Sequence, residues 1–119
     1  MLERKENIIA IKADAYTDRI VRLYQYLKEK KNEHIISKQI YRSGTSIGAN
    51  VAEGEYAQSR PDWISKLSIA LKEANETDYW LKKLYTANFL TEKQYASMHK
   101  DNEEIIKLLV SIIKTSKGL

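Results

Sequence analysis

The stretch Arg42-Ser43-Gly44-Thr45-Ser46-Ile47-Gly48-Ala49-Asn50-Val51-Ala52-Glu53-Gly54 decides how this chain folds. It carries three of the four glycines in the sequence, together with four Ser, Thr or Asn residues. Glycine in a helix interior costs about 1 kcal/mol relative to alanine, so the three together cost roughly 2–3 kcal/mol if the stretch is helical. The apolar spacing nevertheless demands a helix. Ile40, Gly44, Ile47 and Val51 follow one another at steps of four, three and four, which is one face of an α-helix. Turning about 100° per residue, Arg42, Ser46, Ala49 and Glu53 share the far side. The stretch therefore predicts a helix with an apolar face, an opposite face of small residues bracketed by opposite charges, and a backbone that neighbours can approach closely.

Working outward, the same spacing recurs in three more segments. Ile9, Ala13, Tyr16, Ile20, Leu23 and Leu27 alternate steps of four and three, predicting a helix over about 7–31. The charged run Lys28 to Glu33 reads as a solvated helix end, after which the glycine-bearing helix spans about 35–57. Ser59 is an N-cap with Asp62 three residues on, and the single proline, Pro61, falls in the first turn, where its missing N–H is harmless. The third helix, about 60–88, has the seam Trp63, Leu67, Ala70, Ala74, Thr77, Leu81 and Leu84. Thr91 and Gln94 form a capping box that opens the fourth, about 92–115, with the seam Tyr95, Met98, Asn102, Ile105, Leu109 and Ile112. Four long helices with short connections predict an all-α, up-down-up-down antiparallel four-helix bundle as one domain over residues 1–119.

The composition narrows the function by exclusion. There is no cysteine, hence no thiol nucleophile and no disulfide framework. The segment MLERKENIIAIKADAY has charges where a signal peptide needs an apolar run, so a cytoplasmic protein is expected, with no membrane partner. His34 and His99 stand apart, and neither belongs to the Glu-x-x-His arrangement of di-metal bundles. No serine has a histidine base nearby in the pattern, and Gly44 and Gly48 are at packing spacing rather than in a phosphate loop. The expectation is a non-catalytic protein without cofactor or metal. The alternative is a small metal-carrying or enzymatic bundle. Net charge is +4 and no stretch concentrates it, so nucleic-acid binding rests on what the fold or an assembly brings together.

More apolar surface is present than one bundle hides. Ile8, Ile11 and Ala15 lie off the first seam, and Ile69 and Trp80 lie off the third. Self-association would cover them. The candidate structural and interface residues are accordingly Arg42, Ser43, Gly44, Ser46, Ile47, Gly48, Asn50, Ala52, Glu53, Gly54, Ser59, Ile69, Glu76 and Trp80.

Arg42 to Gly54 resembles the signature RS-x-x-SIGANIAEG of the bacterial four-helix-bundle proteins known as 23S ribosomal RNA intervening-sequence proteins. These are similar to the Avd accessory proteins of diversity-generating retroelements. The likeness continues through Gln58 to Trp63, Lys66 to Ala74, Glu76-Thr77 and Tyr79-Trp80-Leu81. It implies a small non-catalytic bundle assembled as a ring-like homopentamer. It also implies, through the Avd relatives, contact with nucleic acid or a nucleic-acid-processing protein. Asn75 and Asp78 stand where the resemblance leads one to expect arginine.

Overall fold

Each apolar seam becomes the buried stripe of a helix, except that Trp63 and Tyr95, at the heads of the third and fourth seams, lie near the helix starts and stay half-buried. In a computed structural model, which describes residues 4–118, the helices are α1 (Arg4–Lys30), α2 (Ile36–Gly54), α3 (Arg60–Thr86) and α4 (Glu92–Ser116). α1 packs on α2 and α4, and α3 packs on the same two, giving a four-helix bundle. Its extents are 44 × 22 × 18 Å. Tyr16, Ile20 and Leu27 from α1 meet Ile40 and Ile47 from α2, Leu67, Leu81 and Leu84 from α3, and Ile105 and Leu109 from α4, all shut off from solvent. Each such side chain contributes about 1.5–3 kcal/mol of burial.

A few polar groups enter this core, and most are satisfied. The Tyr16 hydroxyl donates to the Met98 carbonyl at 3.2 Å, and burial pushes its phenol well above the ordinary range. Asn102 donates from Nδ2 to the Ala74 carbonyl at 2.9 Å, tying α4 to α3, while its own Oδ1 finds no partner. The Thr77 hydroxyl donates to the Glu73 carbonyl at 2.8 Å and meets the Ser43 hydroxyl at 2.9 Å, between α3 and α2.

Caps set the helix limits. Ser59 accepts from the Asp62 N–H at 3.2 Å, as its position before Pro61 leads one to expect. The Asp62 carboxylate reaches back to the N–H of Gln58 rather than that of Ser59. Thr91 and Gln94 form both halves of their capping box. α2 ends at Gly54, three residues short of the expected 57, because Glu55, Tyr56 and Ala57 donate to carbonyls only three residues back and tighten into a turn. α3 stops at Thr86 rather than 88. Asn88 turns left-handed at φ 65°, and the Phe89 N–H closes on the Leu84 carbonyl, a Schellman ending that asparagine tolerates.

The charged run before α2 departs furthest from expectation. Glu33 is buried, not solvated. Asn32 turns left-handed at φ 52°, which swings the Glu33 carboxylate over the start of α2. There it accepts from the N–H groups of Ile35, Ile36 and Ser37 at 3.1, 3.0 and 2.6 Å. Burial alone would raise this carboxyl's pKa. The three backbone donors and Ser37 outweigh it and hold the group below the usual carboxylate range.

A carboxyl depressed on folding stabilises the protein above its unfolded pKa, and that contribution is lost as pH falls through the folded value. Glu33→Gln is therefore expected to cost about 1–2 kcal/mol in denaturant titrations at pH 7, the loss of a charged helix cap. Wild type and variant should converge as the pH is lowered past the point where Glu33 protonates.

Candidate functional site

The glycine-bearing helix uses both its flanks inside the chain. On the α1 side, a Cβ added to Gly44 would stand 2.7–2.8 Å from three atoms of Ile20. One added to Gly48 would stand 2.2 Å from the Thr17 hydroxyl and 3.3 Å from the Ala13 carbonyl oxygen. The closeness of α1 thus leaves no room for a Cβ at either position unless Ile20 or Thr17 moves. Gly54 has a third neighbour, since the Trp63 ring edge would lie 3.3 Å from its Cβ. Arg60 in turn lies over the Trp63 ring at 4.7 Å. Ile47 is fully buried in the seam between these glycine contacts.

On the α3 side, Arg42 donates to the carboxylates of Glu73, at 3.2 Å, and Glu76. The Trp80 indole N–H donates to the same Glu76 oxygen at 3.1 Å, and the ring meets Tyr79 edge-on at 5.0 Å. Glu53 pairs more loosely with Lys66 at 3.6 Å. The charges expected to bracket a face between subunits are thus satisfied within one chain, holding α2 to α3. Between them, Ser46 donates to the Arg42 carbonyl at 2.7 Å and Asn50 to the Ser46 carbonyl at 2.8 Å, which keeps both side chains close to the helix backbone. Ile69 stays 40% exposed on the same side. The fold therefore gathers Arg42, Ser46, Asn50, Glu53, Ile69, Glu76 and Trp80 on the α2/α3 side. It places Gly44, Gly48 and Ala52 on the α1/α2 side and Ser43 in the core between α2 and α3. Ser59 stands at the start of α3 as a cap.

Sequence reasoning did not find two features. Between α1 and α4, a depression of about 420 Å³ has Leu23, Leu90 and Met98 as its floor, with Arg19, Arg22 and Lys93 around it. Tyr26 joins its wall, and no carboxylate lines it. Arg19 is held by Asp101 at 2.6 Å and by Ser97, whereas Arg22 and Lys93 have no partner among the described residues. The second feature centres on Asp78, which takes His99 Nδ1 at 2.7 Å and Lys82 at 3.1 Å and so ties α3 to α4. Tyr95 stacks on His99 and on Tyr85 beside it. Both features join residues distant in sequence, which periodicity alone does not pair. Among the described residues no group of three or more His, Asp or Glu is placed to hold a metal ion, and no helix is long and apolar enough to cross a membrane.

These arrangements define a class: a small all-helical bundle whose helices are joined by an apolar core and by polar pairs such as Arg42 with Glu73 and Arg19 with Asp101, with apolar residues left on its outer sides. The chain belongs to the 23S rRNA-intervening sequence protein family, whose model matches residues 5–111. It is similar to a protein of unknown function from the S23 ribosomal protein family of Bacteroides thetaiotaomicron, solved in a crystal at 1.70 Å. The two are 55% identical, with a TM-score of 0.91 over 92% of this chain and 98% of that one. Comparison with curated proteins gives no match.

The glycine contacts differ in how they can relax. Ile20 is fully buried, so Gly44→Ala is expected to destabilise the fold by about 1–3 kcal/mol despite alanine's better helix propensity. Thr17 can rotate away from Gly48 by giving up its hydrogen bond to Ala13, so Gly48→Ala should stay within about 1 kcal/mol of wild type. Gly48→Leu should fail to fold or assemble. Thermal and denaturant unfolding of the variants measures the order.

Proposed function

We propose that this protein is a non-catalytic, homo-oligomeric scaffold of the cytoplasm that holds nucleic acid or a nucleoprotein partner. The observation that carries the reading is the exposed apolar surface on sides that the bundle does not itself use. Ile11 on α1 is 71% exposed, Ile69 on α3 is 40% exposed, and Tyr79 on α3 is 52% exposed. Covering such residues with another copy removes apolar surface from water. The sequence resemblance of Arg42 to Gly54 supports a ring of five copies as the form of assembly.

The partner reading draws on charge. Five copies at +4 each carry about +20, enough to attract a polyanion without a concentrated basic run in any one chain. The α1/α4 depression supports it locally, since Arg22 and Lys93 have no partner within the described chain and Tyr26 offers an aromatic surface beside them. Asp78 lies elsewhere and is already taken by His99 and Lys82, so its negative charge does not enter this depression.

Light scattering should give a mass several times 13.8 kDa, and a single-chain mass at all concentrations would remove the scaffold reading. Binding to a single-stranded RNA oligonucleotide should weaken steeply as salt rises, with Arg22→Glu and Lys93→Glu each lowering both affinity and salt slope. Absence of binding at low salt would remove the nucleic-acid reading and leave assembly untouched.

A further inference from the structure

Two outer sides of the bundle carry apolar residues beside unpaired charges of opposite sign. We infer that they are the two halves of one contact between copies of this chain, the α1/α2 groove of one copy receiving the α3 ridge of the next. This rests on the self-association proposed above and adds which surfaces meet.

The groove is a depression of about 320 Å³ in which Ile11, Gly48, Val51 and Ala52 meet the carboxylates of Asp14 and Glu55. Neither carboxylate has an ion-pair partner among the described residues. Its bareness follows from the close approach of α1 and α2, which leaves no side chain at Gly48 to fill it. The ridge runs along the outward side of α3. There, Ile69 stands exposed one turn before Lys72, an exposed cation without a partner among the described residues, and Tyr79 follows with Lys83 over its ring at 5.1 Å. Glu73 and Glu76, the ridge's own carboxylates, are occupied by Arg42, so the charge it presents outward is positive.

The positions also agree along the bundle axis. α1 and α3 begin at the same end, at Arg4 and Arg60, where Arg60 approaches Glu6 at 3.6 Å. At about 1.5 Å per residue, Ile69 lies ~14 Å from that end and Ile11 ~11 Å, while Lys72 lies ~18 Å and Asp14 ~15 Å. Two copies side by side in the same direction therefore bring Ile69 to the groove and Lys72 to Asp14. The contact joins unlike surfaces, so it propagates from copy to copy. Such a contact gives a ring where the rotation from copy to copy closes and a filament where it does not.

Charge reversal tests the pairing without disturbing the core, because both residues are exposed. Asp14→Lys and Lys72→Glu should each weaken assembly roughly tenfold or more by light scattering, with helical content unchanged, and the two combined in one chain should restore it. Because the native chain has no cysteine, Ile11→Cys and Ile69→Cys chains can also be mixed under a mild oxidant. They should cross-link to each other, and neither should cross-link with itself. An assembly that ignores both reversals, is not restored by their combination, or cross-links like with like overturns this pairing while self-association stands. A protein that remains a single chain overturns both.

Discussion

The close approach of α1 to α2 is the constraint on which the other arrangements depend. Ile20 occupies the volume that a side chain at 44 would need, and Thr17 covers Gly48 while bonding the Ala13 carbonyl. That closeness gives many small dispersion contacts in place of a few large ones. It also fixes the rotation of α2 about its own axis. With Gly44 and Gly48 turned to α1, Ser43 turns to Thr77, and Arg42 and Glu53 fall within reach of α3. One flank being bare decides what the other flank can hold.

Electrostatics plays a distributed part. Arg19 with Asp101 and Lys12 with Glu104 join α1 to α4, Arg42 with Glu73 and Glu76 joins α2 to α3, and His99 with Asp78 joins α3 to α4. Exposed pairs of this kind contribute at most about 1 kcal/mol each, so they do not hold the bundle together against the core's burial. Their effect is on which charges remain available. α1 and α2 are joined by glycine contacts and by the Tyr24 and Tyr41 rings, 4.5 Å apart, and Asp14 and Glu55 along that seam have no ion-pair partner among the described residues. The spare charges on the surface are set by how the helices are joined beneath it.

Much of this was legible in the sequence, for identifiable reasons. The seams follow from periodicity, since burial selects the residues a helix turns inward, and Ile9, Tyr16, Leu67, Leu81 and Ile105 are all buried as their spacing demands. Ser59 and Thr91 were legible because caps are local in sequence. Glu33 was hidden in a run of charges, and its role depends on a left-handed turn at Asn32 that no spacing rule signals. Arg42 could be placed on a face, but its partners on α3 depend on how far one helix is slid and rotated against another. The same holds for His99 with Asp78, and for the basic depression made by residues as distant as Arg22 and Lys93. A helix wheel gives direction around an axis and says nothing of the neighbour's height along it.

Asn102 bears on that missing height. The repeating steps of four and three on α3 and α4 would still mesh after one helix slid past the other by a heptad, about 10.5 Å. A core of leucine and isoleucine alone would distinguish such registers poorly. Asn102 is wholly buried, and a buried amide costs stability wherever it finds no hydrogen-bond partner. Its amide reaches a backbone carbonyl beside Ala70 and Ala74, where two small side chains leave space. Slid one heptad either way, it would meet the bulk of Leu67 or Leu81 instead. This buried amide thus disfavours both heptad slips of α4 along α3.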